Sequence, residues 1–166
     1  MNDEKYSVYA TKSILRSIKP YWLYLILIGK KTLEVGKDRP KSEEWDRLVY
    51  LYCSKDKKSF NRIPASDRVW MRKYLGKVAG HFFCGRVEEF HQFMLEPKNR
   101  YERECLDNVL EKSCLSYDEL TEYLNDRDYY KPFYLWEISA FIRADMPFGV
   151  EMFNICRPPQ SWVYVA

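Results

Sequence analysis

The chain has 166 residues, of which 46% are hydrophobic and 31% charged; this length and balance suit one soluble globular domain over residues 1–166 and exclude a disordered chain. The formal charge of +3 hides an asymmetry, because residues 1–86 carry 19 Lys/Arg against 9 Asp/Glu and residues 87–166 carry 8 against 15. A fold assembled from such halves can present one basic face.

The opening stretch, MNDEKYSVYATKS, has no apolar core of the kind a secretion signal needs, and residues 6–17 read as an extended entry. Pro20 suits a helix start, since its missing N–H would be unpaired there anyway. Residues 21–28 are apolar on nearly every side, so this helix should be buried; they are too few to cross a bilayer, and no membrane partner is expected. Gly29 ends the helix, with Lys30 and Lys31 at its negative end. Residues 32–35 alternate as a short strand, with Thr32 and Glu34 on one face and Leu33 and Val35 on the other. Residues 36–42 form a charged loop, and 48–53 an apolar central strand.

Residues 55–77 are the most basic part of the chain, with a short helix expected over 67–75. Residues 78–90 read as a long strand bent near Gly80 and Gly85. Cys105, Leu106, Val109 and Leu110 give a helical stripe, and Ser116 with Glu119 the signature of a capping box ahead of a second helix. Residues 133–143 return to strand character, 146–153 connect, and Trp162 to Val165 alternate as a closing strand. The 14 Tyr and 9 Phe favour strands. Strands and helices intermix without a βαβ rhythm, which predicts an α+β fold with a mixed sheet or barrel.

Gly29, Lys31 and Glu34 lie in a run that resembles the G-x-K-x-x-E-x-R element of the ASCH family, between a buried first helix and a barrel strand. The run departs from the pattern at Gly36, where the family has Arg, with Lys37 adjacent. Cys114-Leu115-Ser116, Trp136-Glu137-Ile138-Ser139 and the terminal RPPQSW resemble a phage- and prophage-associated branch, although His is expected there in place of Glu137. The likeness spans about residues 13–165. It implies a small PUA-like mixed β-barrel with flanking helices, and a cleft for RNA or a modified nucleotide. It implies in turn an RNA-binding regulator linked to transcription or translation, and cysteines read as reduced thiols place the expected protein in the cytoplasm. Some relatives hydrolyse acylated cytidine nucleosides with a Lys, a Thr and a Glu, and one acts as a ribonuclease. In the hydrolases a second hydroxyl-bearing residue falls where Glu34 stands here.

The candidate site residues follow from chemistry and from this likeness together. Lys31 can contact phosphate or, if catalytic, act as base or nucleophile, with Thr32 and Glu34 beside it. Glu34 can accept from an exocyclic amine of a base. Alternation sets Lys31 and Glu34 on opposite faces unless the turn redirects the lysine. Lys30, Lys55, Lys57, Lys58, Arg62, Arg68, Arg72 and Lys73 are candidates for phosphate contacts, with Phe60, Trp70 and Tyr74 interleaved for stacking or turned to the core. Arg157 and Gln160 are candidates at the cleft edge, where Trp162 serves as core or as a stacking ring. Cys53 lacks a histidine nearby in sequence, though His81 can approach in space. Five cysteines, no two in C-x-x-C spacing, argue against a disulfide framework or a zinc site. They read as reduced core thiols in a protein that needs no metal and no cofactor. A nucleic-acid-binding module, a small hydrolase working through Lys31 and a phage-encoded protein–protein adaptor all remain compatible with these residues.

Overall fold

The computed structural model describes residues 12–41, 45–125 and 128–166. Residues 6–11 of the expected entry segment and Ser42 of the charged loop lie outside them. Lys12–Ile18 form β1, and most of its side chains are buried on both faces, as in a strand covered on each side. Pro20–Leu27 form α1; Pro20 opens the helix, and Leu23 to Leu27 are buried. Leu33–Gly36 form β2 and Trp45–Cys53 form β3, so Thr32 precedes the strand.

Asp56 caps the short helix α2 (Lys57–Phe60) by accepting from the Ser59 amide. Helix α3 (Ala65–Met71) begins after the cap residue Pro64, two residues before the expected start, and runs into a 3₁₀ turn at Arg72–Tyr74. Val78–His91 form β4, Arg100–Ser113 form α4 under an Asn99 cap, and Tyr117–Leu124 form α5. At the head of α5, Ser116 accepts from the Glu119 amide and Glu119 accepts from the Ser116 amide, as the sequence predicts.

The expected strand over 133–143 is two strands, β5 (Pro132–Ile138) and β6 (Ile142–Phe148), and a short turn at Val150–Phe153 leads toward β7 (Trp162–Val165). The break falls at Ser139, whose amide and hydroxyl both donate to the Phe83 carbonyl. The strands run in the order β2-β5-β4-β3-β1-β7, with β6 also on β4. Among the described residues only β1 and β3 pair in parallel; the other pairs are antiparallel.

The fold is therefore α+β and mixed, as expected, but the sheet is not closed into a barrel, because its end strands β2 and β7 do not pair with each other. It is strongly curled all the same. β1 and β2 stand four strand spacings apart, about 19 Å in a flat sheet, yet Arg16 of β1 reaches β2 and donates to the Val35 carbonyl at 3.2 Å. Side chains thus span a seam that backbone pairing leaves open.

Among the described residues three apolar clusters form the core. Ile14, Leu23, Leu51, Phe82 and Trp136 pack between the inner sheet face and α1. Leu106, Val109, Leu120, Leu124 and Leu135 seat the α4–α5 hairpin on β2 and β5. Leu15, Tyr52, Val78 and Val150 form a third cluster on the opposite sheet face. The helices α1 and α2 on one side and α5 on the other are left facing each other. Of the five cysteines, only Cys53 and Cys84 are core thiols; Cys105 and Cys114 are half-buried and Cys156 is exposed.

Candidate functional site

The site begins at the turn after α1. Gly29 takes a φ of +77°, a left-handed conformation that glycine adopts without steric cost. The amides of Lys30 and Lys31 then both point back to the Leu25 carbonyl, at 2.9 and 3.0 Å. This fold-back carries the Lys31 side chain inward, so that it is 3% exposed and meets Glu34 despite the strand alternation. Lys31 Nζ donates to the Leu33 and Ser113 carbonyls, each at 2.8 Å, and lies 3.0 Å from Glu34 Oε2. An ammonium has three N–H groups, and each has an acceptor here. Ser113 ends α4, so the cation also sits at the negative end of that helix.

Glu34 holds a second cation. Arg16 Nη2 lies 3.4 Å from Glu34 Oε1, and both side chains are well buried. Burial by itself pushes the Glu34 carboxyl up, but Lys31 and then Arg16 outweigh it and hold the group below its ordinary value of 4.5. Arg16 is the residue that the sequence reading missed. The family pattern puts an arginine two residues after the glutamate, on the same strand face; this chain has Gly36 there. A side chain built at Gly36 would meet both Arg16 Nη atoms within 3.3 Å and Trp136 Nε1 within 2.8 Å. The guanidinium beside Glu34 is thus supplied from β1, in the space that glycine leaves open, with the Trp136 ring 5.0 Å away.

Beside the Lys31–Glu34 pair opens a cleft of about 490 Å³. From α1 and α2 it takes Lys19, Trp22, Asp56, Lys58 and Ser59, and from the loop after α2 it takes Arg62; from α5 it takes Glu119, Glu122 and Tyr123. Arg62 spans the opening, 2.8 Å from Glu119 on the far wall, with its guanidinium 4.1 Å from the Tyr21 ring centroid and 4.9 Å from that of Trp22. Burial pushes Glu119 up, but the Ser116 amide and Arg62 outweigh it and hold the carboxyl low. Among the described residues the lining has four cations and four carboxylates, so the cleft is charge-balanced rather than basic.

The structure brings Lys31, Glu34, Lys58 and Arg62 of the predicted residues together, and the others stand apart from the cleft lining. Lys30 is exposed. Thr32 is exposed, and its backbone ties Lys112 of α4 to Ile138 of β5. Arg68 pins its own loop through the Ile63 and Asn61 carbonyls, at 2.8 and 2.6 Å. Lys55, Lys57, Arg72, Lys73, Arg157 and Gln160 are exposed, with Arg72 over the Phe60 ring and Lys73 over Tyr74. Phe60 and Tyr74 are core, and Trp70 donates to Asp67 at 3.2 Å, so the aromatics of the basic stretch serve packing. Trp162 packs edge-on against Trp136. Burial pushes the Cys53 thiol up to about 12, which removes it as a nucleophile, and His81 lies against the Tyr50 ring.

No family model and no curated protein matches the chain. Solved structures do. The ASCH protein from Zymomonas mobilis superposes with a TM-score of 0.64 at 14% identity, over 93% of this chain and 88% of that one. Two single-substitution variants of the Zymomonas mobilis protein give TM-scores of 0.63 and 0.62 at 13% identity, again over 93% of this chain and over 89% and 91% of theirs. At that identity the likeness is one of architecture, and the chain has the fold of the ASCH domain.

Proposed function

We propose that the cleft binds a ribonucleotide, presented within an RNA strand. The observation that carries this reading is the convergence of the Lys31–Glu34 pair with Lys58 and Arg62 of the basic stretch around one cavity of about 490 Å³. That volume is within the range of small-ligand sites. Glu34, held ionised between Lys31 and Arg16, can accept from an exocyclic amine. Lys58 and Arg62 stand at the opening, where the phosphate would lie. Because the lining carries as many carboxylates as cations, it is suited to one nucleotide rather than to a length of phosphate backbone. The ASCH resemblance supports RNA over DNA and a regulator of transcription or translation, including the phage-associated branch, and the free cysteines support a cytoplasmic setting.

A hydrolase working through Lys31 has less support. Reaction at the amine would first have to break two hydrogen bonds to carbonyls and an ion pair, and Thr32 stands outside the cleft lining.

Calorimetric titration with the four ribonucleoside monophosphates tests the proposal. Arg62→Ala should weaken the preferred nucleotide by about tenfold or more, the scale of one charged hydrogen bond. Absence of binding by all four to the unaltered protein would sink it.

A further inference from the structure

Beyond the cleft, β3 and β4 each carry a bulge at the same level. β3 takes four steps from Trp45 to Val49 while β1 takes two from Lys12 to Ile14. β4 takes three steps from Cys84 to Val87 while β5 takes two from Ile138 to Trp136. Each bulge holds an arginine, Arg47 in β3 and Arg86 in β4. Arg47 has a φ of +60°, a strained setting for a residue with a side chain. Two contacts hold it: Asp46 accepts from the Leu48 amide at 2.9 Å, and Arg47 Nη1 donates to the Gly85 carbonyl at 3.0 Å, joining one bulge to the other. Bulges of this kind re-aim side chains.

Here they aim two arginines into a groove of about 320 Å³ that also takes Arg39 and Lys41, from the loop after β2, and Trp45. Among the described residues the lining sets four cations against one carboxylate, Glu88, in contrast to the balanced cleft. Glu89 pairs with Arg39 at 3.1 Å, and Arg86 is shared by Glu88 at 3.0 Å and Glu137 at 3.8 Å, all at exposed positions. A guanidinium carries five N–H groups, so one carboxylate on Arg39 and two on Arg86 still leave donors on each for a phosphate.

We infer that this groove holds the backbone phosphates of the same RNA strand whose nucleotide enters the cleft; the inference rests on the reading proposed above. Val35 lines the cleft and Arg39 lines the groove. Four residues of chain span at most about 14 Å, so one short oligonucleotide can engage both. Arginines match phosphate geometry with two parallel bonds, and Trp45 adds a ring to the groove wall, the mixture that single strands select.

The test compares a mixed-sequence 12-nucleotide single-stranded RNA, a ribonucleoside monophosphate and a polyglutamate peptide, each titrated at several salt concentrations. The proteins are the unaltered chain, the Arg39→Ala/Lys41→Ala double variant and Arg86→Gln, with folding checked by circular dichroism. The double variant should bind the 12-mer about tenfold more weakly, and its slope of log affinity against log salt should be shallower by about 1.4, from about 0.7 per lost phosphate contact. Arg86→Gln should act in the same direction, and monophosphate binding should be unchanged. Equal 12-mer affinity and slope in all three proteins overturn the inference. A peptide that binds more tightly than the 12-mer and is the more sensitive to the variants also overturns it, in favour of an acidic protein partner. If the monophosphate fails to bind while the 12-mer stays sensitive, the cleft reading falls and the groove stands.

Discussion

At the residue scale, the cleft wall is a buried set of two cations and one carboxylate. Removing Lys31 would leave the Leu33 and Ser113 carbonyls and one oxygen of Glu34 without their donor. Breaking a buried pair from one side costs about 3–5 kcal/mol. Lys31→Ala should therefore lower the unfolding free energy measured by urea titration by that amount, making the lysine a structural as well as a binding residue.

Glu34 gives the molecule a defined acid response. Its folded carboxyl is held below 4.5 by Lys31 and Arg16, against the opposing effect of burial, so the unfolded chain takes up its proton first as pH falls. The stabilisation is complete above about 4.5 and is lost as pH drops through the lower folded value. Unfolding free energy measured from pH 6 to pH 2 should show that loss. In Glu34→Gln the curve should be flatter over the same window and lower at neutral pH. Lys31 and Glu34 were legible in the sequence as a family element, but Arg16 was not: it lies 18 residues before Glu34, on a strand that does not pair with β2, and reaches it only because the sheet curls.

At the element scale, local chemistry was the most legible part. The capping box at Ser116 and Glu119, the proline start of α1 and the alternation of β7 all appear as read, because each depends on neighbours within a few residues. The break between β5 and β6 was not legible, since the run FYLWEISAFIR has no glycine or proline to mark a turn. Its cause is a partner distant in sequence: β5 pairs with residues 84–91 of β4, and β6 with residues 78–81.

Gly80 allows the second pairing. Its φ is +150°, and a Cβ there would collide with the Ile142 carbonyl oxygen. Gly80→Ala should cost about 1–3 kcal/mol from backbone strain alone. Hydrogen exchange should show the loss first in β6, and in α1 where Arg143 holds the Leu27 carbonyl at 2.8 Å. Retention of normal protection in β6 would show that the strand does not depend on this glycine.

At the scale of the whole molecule, the charge blocks of the sequence were legible, but not their arrangement. The basic first half and the acidic second half do not make one basic face around the cleft. They confront each other across it, Lys58 and Arg62 on one wall and Glu119 and Glu122 on the other. Among the described residues the groove lining holds four cations to one carboxylate; Arg47 and Arg86 are brought to it by bulges in two adjacent strands, Arg39 and Lys41 by the loop after β2.

The strand order has a consequence for synthesis. β1 lies between β3 and β7, and among the described residues β2 pairs only with β5, so each of these early strands waits for a partner that leaves the ribosome much later. Roughly 150 residues separate Arg16 from the β7 residues it faces, about 7–30 s of translation at ordinary rates. Throughout that interval the nascent chain displays one β1 edge with no neighbour, and such an edge invites chaperone capture or adventitious pairing until the last strand arrives.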